Sequence, residues 1–469
     1  KKRIRIMKKL IFALVLFFNL SCENDNNILG WGYAEKKWLE SEKIESKITG
    51  AEIIEMNFSA IDHNIIPDGE TMNTIAINTL IDSVSGEGGG IINFSAGTYL
   101  TGGIILKDDV GIHLKKDAVI KFSQNPVDYT PNVLGHWEGM EIYNFRAFIY
   151  SNSAKNISIT GSGVLDGNAG WDNWWGWSRD NLHKLKKNRP RLMEYNRNQV
   201  DASKRNFGIG YNLRPNFIQF YNSESITIKG VTLKDSPMWF IHTVLSENII
   251  IDGVKIYAPY ESPNTDAIDL ESSKNIVVKN CLIDVGDDCI TMKSGRNQDG
   301  RRINRPTENV IAKDNIIKNG RGGLTIGSEM SGGANNIFMK NCTINSKKLN
   351  RAFRIKGSEV RGGYVSDIFV KDVDIDTVGG GPVLNIDLHY KVRDAERDGK
   401  TYLPKVENVF IQDVTCNYAK QPLFLDGYPS SKIKNVQLKN IEIRNILEPS
   451  HVKDVSNLIM KDVQIQNRN

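Results

Sequence analysis

Glu247-Asn248-Ile249-Ile250-Ile251 and, 27 residues later, Lys274-Asn275-Ile276-Val277-Val278 are two copies of one phrase: a charged residue, an asparagine, then a run of β-branched residues. The phrase returns at Glu308-Asn309-Val310, Asn335-Asn336-Ile337, Asp367-Ile368-Phe369, Glu407-Asn408-Val409, Lys434-Asn435-Val436 and Ser456-Asn457-Leu458, and it is already present at Lys155-Asn156-Ile157-Ser158-Ile159. From position 248 onward the Asn or Asp residues are spaced by 27, 34, 27, 31, 41, 27 and 22 residues. β-branched enrichment without a 3.6-residue period indicates strands rather than helix pairs. One short strand cannot bury its apolar face alone, whereas coils stacked about 4.8 Å apart share a continuous core. The pattern predicts an all-β chain folded as a right-handed parallel β-helix. A sandwich would need Asn-Gly hairpin turns between neighbouring strands, and these are scarce here.

Outside the repeats, three segments have their own character. Ile77, Leu80, Ile81 and Val84 follow i, i+3, i+4, i+7 spacing, with Gly86 and Gly88–Gly90 behind them, and predict a short N-terminal capping helix over the open end of the solenoid. Residues 168–212 break the repeat and are rich in Trp, Lys and Arg, which reads as a long loop over one face, with Trp174, Trp175 and Trp177 walling off one end of a cleft. Residues 22–50 read as a tether with a short surface helix, leaving 51–469 as the β-helix catalytic domain.

The start of the chain reads as a leader. Lys8 and Lys9 precede the apolar run Leu10–Leu20, and Ser21-Cys22 follow, so residues 1–21 are expected to be a lipoprotein signal peptide with Met7 as its start and Cys22 as the lipidated residue. The expected location is the envelope of a Gram-negative cell, periplasm or outer membrane, with membrane contact only through the lipid. Residues 1–21 hold six basic residues and no acid, so their removal takes the formal net charge from +5 to −1. That balance gives a nucleic-acid partner no support. The remaining cysteines, Cys281, Cys289, Cys342 and Cys416, fall at strand positions and are expected to be buried free thiols. With neither a CxxC nor a His cluster, no metal and no cofactor are expected, and a monomer is the expected state.

Three motifs inside the repeats carry the chemistry: Asn264-Thr265-Asp266, Gly286-Asp287-Asp288 and Arg354-Ile355-Lys356. Asp266 and Asp287 are 21 residues apart, close to one coil, which puts them on neighbouring rungs within about 5 Å of each other. Asp288 joins them if the backbone turns at Gly286. Carboxylates this close cannot ionise independently, so one is expected to hold a proton and serve as acid while the others act as bases. Arg354 and Lys356 project from the same face of a strand and suit recognition of a carboxylate. Three aspartates beside an Arg/Lys pair fit a glycosidic bond in an acidic sugar.

At these residues, and at Gly97-Thr98-Tyr99, Gly161-Ser162-Gly163-Val164-Leu165-Asp166-Gly167, Ser236-Pro237-Met238-Trp239 and Gly327-Ser328-Glu329-Met330-Ser331-Gly332-Gly333, the chain resembles glycoside hydrolase family 28, the polygalacturonases, and in wording the exo-acting branch. The resemblance covers about residues 57–465. It implies hydrolysis of α-1,4-linked galacturonate in pectin with inversion, Asp287 as general acid, and Asp266 and Asp288 activating the water. It further implies Arg354 and Lys356 as the uronate-binding pair and Tyr390 as a further subsite residue; Asn264 is part of the matching motif. Where the family carries His between two glycines, this chain has Gly320-Arg321-Gly322. Arg321 is therefore expected to contact a second carboxylate, and His242 to approach the site from a neighbouring coil. Three other readings stay open on the sequence: a hydrolase of rhamnogalacturonan or another pectic uronate, a calcium-dependent pectate lyase on the same fold, and a β-helix that binds pectin without cutting it.

Overall fold

The computed structural model describes residues 29–179 and 184–468. The expected signal peptide and Cys22 lie outside the described residues. Within them the chain winds into a right-handed parallel β-helix whose coils contribute strands to three stacks. The first stack, here called the site sheet, runs through Ile218–Tyr221, Ile241–Val244, Ile268–Glu271, Ile290–Lys293, Gly322–Ile326 and Arg351–Lys356 to the end of Tyr364–Asp387. A second stack runs through Glu247–Asp252, Lys274–Lys279, Thr307–Lys313 and Ala334–Ser346, and a third through Thr232–Lys234, Lys255–Tyr257 and Leu282–Asp284. Among the described residues, the antiparallel exception between named strands is one hairpin, Val133–Trp137 with Met140–Asn144.

The recurrent asparagines act as corner pieces. Asn248, Asn275, Asn309, Asn336, Asn408 and Asn435 all have φ between 53° and 60°, in the left-handed region that Asn tolerates better than most residues. Their side chains hydrogen-bond from coil to coil: Asn275 Nδ2 donates to Asn248 Oδ1 (3.3 Å), Asn309 to Asn275 (3.0 Å), and Asn336 to Asn309 (3.2 Å). The corner turns the chain into the second stack, and the ladder sets the register in which Ile249, Ile276, Val310 and Ile337 stack inside.

The capping helix forms as expected, at Thr74–Gly86, burying Ile77, Leu80, Ile81 and Val84 against the first coils. Each such side chain contributes about 1.5–3 kcal/mol when fully buried. The first helix, Trp31–Glu45, differs from a free surface helix. It covers an outward aromatic file on the second stack, Phe338, Phe369 and Phe410, whose rings stack at 5.0 and 5.5 Å. Trp38 packs edge-on against Phe338 at 5.3 Å.

Residues 168–212 also depart from expectation. Trp174 and Trp175 are buried, not arrayed along a cleft: Trp174 packs against Tyr129, Phe148 and Trp177, plugging the interior beside the first coils. Apolar area outweighs the single polar indole N–H, so these rings go inside. The segment also contains helices at Gly176–Arg179 and Lys184–Arg197. The latter packs with the hairpin around Trp137, Met140, Ile142, Leu192, Met193, Phe207, Leu213, Met238 and Trp239, a second apolar cluster beside the site sheet. All four described cysteines are buried free thiols, as expected.

Candidate active site

Strand parity fixes the floor. On the site sheet Ile241, Ile268, Ile290, Leu324, Phe353 and Leu384 stack inward in register, so His242, Asp269, Thr291, Thr325, Arg354 and Asn385 form the outward file between them. One step earlier, where coils turn into this sheet, Ala267 N donates to Asp288 O at 2.9 Å, and Cys289 N to Gly322 O at 2.8 Å. That register sets Asp266 beside Asp288, while Asp287, one residue before, leans in from the turn. Carboxylate oxygens of Asp266, Asp287 and Asp288 all lie within 4.8 Å of one another, as the coil length predicted.

The glycines are there for close approach. A Cβ on Gly286 would sit 2.6 Å from Ser262 O and 2.7 Å from Thr265 Oγ1, so this residue packs the turn against the Asn264-Thr265-Asp266 segment rather than supplying an unusual φ. A Cβ on Gly322 would sit 2.7 Å from Asp288 Oδ1, and one on Gly320 2.8 Å from Asp287 O. Arg321 between them is held by its N–H on Asp287 O (2.9 Å), and its Nε lies 3.8 Å from Asp287 Oδ2 with the side chain 51% exposed. Arg321 therefore sits beside Asp287 and faces solvent, where a substrate carboxylate can reach it.

Each carboxylate has a different electrostatic environment. Burial works to raise Asp288, but Lys356 and Arg354 outweigh it and hold the group at about 2. Lys356 Nζ is 2.7 Å from Asp288 Oδ2, and Arg354 Nη1 is 3.6 Å from Oδ1. Asp287, 17% exposed, is raised by burial and by Asp288, with Arg321 the first of the cations opposing the rise. Asp266 is pushed well above the usual carboxylate range by burial, Asp269 and Asp287, and Lys293 opposes the shift. One of the three is a fixed anion and two favour a proton, the separation of roles that acid–base catalysis needs.

Arg354 and Lys356 share a face as expected, and Tyr390 joins them: its ring centroid is 5.6 Å from the Arg354 guanidinium and 5.6 Å from Lys356 Nζ. Asn264, at φ 54°, accepts from Arg214 Nη2 through its Oδ1 (2.8 Å), which fixes the turn that carries Asp266. His242 is a correction. It is 0% exposed and lies in the outward file beside Asp269, beneath the surface that a substrate could touch. Nδ1 accepts from Asn216 and Gln219, and Nε2 faces Glu271 Oε2 at 2.8 Å. Glu271 also pairs with His136 from the hairpin (2.9 Å), so the histidine is spent on docking that hairpin rather than on binding substrate.

The sequence reading missed the charges under the floor. Lys293, 3% exposed, lies 3.2 Å from Glu329 Oε2, 3.4 Å from Asp269 Oδ1 and 3.9 Å from Asp266 Oδ2, with its ammonium 4.4 Å from the Trp239 ring centroid. Glu329 is clamped in turn by Arg296, which reaches Glu138 at the hairpin tip, and Arg189 of the helix Lys184–Arg197 closes on the same Glu138. A signal existed: Lys293 has outward parity on a strand whose inward residues are Ile290 and Met292, and Glu329 sits within the quoted Gly-Ser-Glu-Met-Ser-Gly-Gly stretch.

Residues 202–462 match the profile of glycosyl hydrolases family 28. The chain belongs to that family. A probable polygalacturonase of Vitis vinifera is 30% identical over 82% of this chain and 74% of its own length. An exo-poly-alpha-D-galacturonosidase of Dickeya chrysanthemi is 25% identical over 85% of this chain and 69% of its own. Among solved structures, a hyperthermoactive exopolygalacturonase from Thermotoga maritima superposes with a TM-score of 0.84 at 34% identity, covering 91% of this chain and 96% of that one. Membership makes this a glycoside hydrolase site. The lyase and the binding-only β-helix, open on the sequence, give way to it.

Proposed function

We propose that the chain hydrolyses α-1,4-linked galacturonate in pectin, acting from a chain end with inversion. The observation that carries the reading is the convergence of Asp266, Asp287 and Asp288 within 4.8 Å, bordered by the Arg354, Lys356 and Tyr390 group that suits a uronate. Asp287 is the most exposed of the three and favours its proton, so it is the donor to the glycosidic oxygen as the bond breaks. Asp288, held ionised, and Asp266, once it has released its own proton, orient the attacking water and take its proton. Arg354 and Lys356 bind the carboxylate of the sugar next to the cut, and Arg321 a second carboxylate on a neighbouring uronate.

End-wise action is supported by the likeness to the Dickeya exo-poly-alpha-D-galacturonosidase and the Thermotoga exopolygalacturonase and by the body built on the hairpin and the helix Lys184–Arg197, which packs beside the site through Trp239. We also propose export as a lipid-anchored protein, on the strength of Lys8-Lys9, the run Leu10–Leu20 and Cys22; loss of radiolabelled fatty acid in Cys22→Ser tests it.

Product analysis on defined oligogalacturonates and on a rhamnogalacturonan panel tests the activity. A single small product from the earliest time points, with one new reducing end per cut, is expected on galacturonate. An early ladder of medium-length products with rapid viscosity loss would make the enzyme endo-acting. Preference for a rhamnose-containing backbone would move the substrate to another pectic polymer.

A further inference from the structure

Each of the three aspartates faces a cation of its own. Asp288 has Lys356, Asp287 has Arg321, and Asp266 has Lys293, its one salt-bridge partner among the described residues. Arg321 is half exposed, and Lys356, though buried, lies against the Tyr390 ring beside Arg354. Lys293 is 3% exposed and enclosed by protein.

We propose that Lys293 is a positioning residue for the water-activating base: its buried ammonium opposes the repulsion between Asp266 and Asp269, so that Asp266 can release its proton and act as a base toward the substrate face. This rests on the assignment of Asp266 as a base. Asp269 is 0% exposed, and neither of its carboxylate oxygens has a hydrogen-bond partner, so the ammonium at 3.4 Å is its main compensation. Both carboxyls are raised even with the ammonium in place, Asp269 to about 8, and without the cation they would hold a proton more tightly still, so the base would be occupied over more of the working range.

The surroundings hold the ammonium in place. Glu329 accepts its hydrogen bond at 3.2 Å, Arg296 anchors Glu329 from the far side, and Trp239 presents its ring face at 4.4 Å. The other groups acting on Lys293 and Asp266 are Asp287 and Asp288 from the next turn, His242 from the preceding strand and Arg214 beyond Asp266. Burial works to lower Lys293, but Glu329, Asp269, Asp266 and Asp288 outweigh it and keep it well above the usual lysine value, so it is a permanent charge at any working pH. Glu329 keeps its ion pair with Arg296 when Lys293 is altered.

The test is the pH–rate profile on an oligogalacturonate for Lys293→Met, Lys293→Arg and the double variant Lys293→Met/Asp269→Asn, with thermal unfolding followed for each. In Lys293→Met the acidic limb of kcat moves up by about one unit or more, the range expected when an opposite charge at this distance is removed, while KM stays within about twofold. Lys293→Arg keeps the limb near its original position. The double variant, which removes the repelling carboxylate with the cation, brings the limb back toward wild type and also provides a foldable comparison if the single Met variant is unstable. An unmoved limb in folded Lys293→Met, or a double variant shifted as far as the single one, overturns the proposal. Asp266→Asn with near-normal turnover would instead remove the assignment of Asp266 on which it stands.

Discussion

Lys356 Nζ lies 2.7 Å from Asp288 Oδ2 with both side chains buried, so a cation expected to hold a uronate is already engaged with a carboxylate of the catalytic group. The two roles are compatible. An ammonium offers three N–H donors, and Arg354 and Tyr390 border the same place.

Lys356→Met should therefore damage both binding and acid–base balance. On oligogalacturonate, KM rises and kcat falls, by about a hundredfold or more in kcat/KM if Asp288 is lost as a base. A stability signature goes with it. Asp288 is held at about 2 in the fold, below an unfolded value of about 3.9, so its pairing stabilises the protein above about pH 4, and this is lost as pH falls toward 2. The gap in melting temperature between wild type and variant should be wider at about pH 6 than at about pH 3. Equal gaps in calorimetry at both would detach the pair from folding.

Asp287→Asn keeps shape and hydrogen bonding but has no carboxylic proton to give, so hydrolysis should fall by at least about a hundredfold with an unchanged circular dichroism spectrum. Near-normal turnover would remove Asp287 as the acid.

Arg321→His separates substrate contact from tuning of the acid. Arg321 opposes the rise of Asp287, so its loss should move the alkaline limb of the profile, where the acid loses its proton, to higher pH. KM should rise on a uronate oligomer and not on a neutral analogue. Unchanged KM on both, with an unmoved limb, would leave Arg321 a turn residue only.

Inversion predicts that the first anomer formed, followed by proton NMR before mutarotation, is opposite to the α linkage cut. Close carboxylates, with oxygens within 4.8 Å, would by the general separation rule favour retention, so the α anomer appearing first is the outcome that would overturn the single-displacement reading.

Asn309→Ala tests the ladder away from the chemistry. It removes the bond given to Asn275 and the one received from Asn336, and places Ala at φ 57°. At about 1 kcal/mol per hydrogen bond and about 1 kcal/mol for the left-handed backbone, the cost should be about 3 kcal/mol by denaturant titration, with activity per folded molecule unchanged.

What the sequence determined by itself was whatever depends on period. The spacing of Asn248, Asn275, Asn309 and Asn336 specifies coils, coil length brings Asp266 within reach of Asp287 and Asp288, and strand parity puts Arg354 and Lys356 on one face. These relations are local or repeat at fixed intervals, so they can be read along a line. Tertiary structure decided which charges meet across coils and from the inserted hairpin and helix. Lys293 finds Asp266, Asp269 and Glu329 only when three coils are stacked, and His242 is enclosed only because His136 and Glu271 close over it. Trp174 and Trp175 went to the interior because burial of apolar area, which depends on what space the coils leave, outweighs a residue's place in a polar stretch.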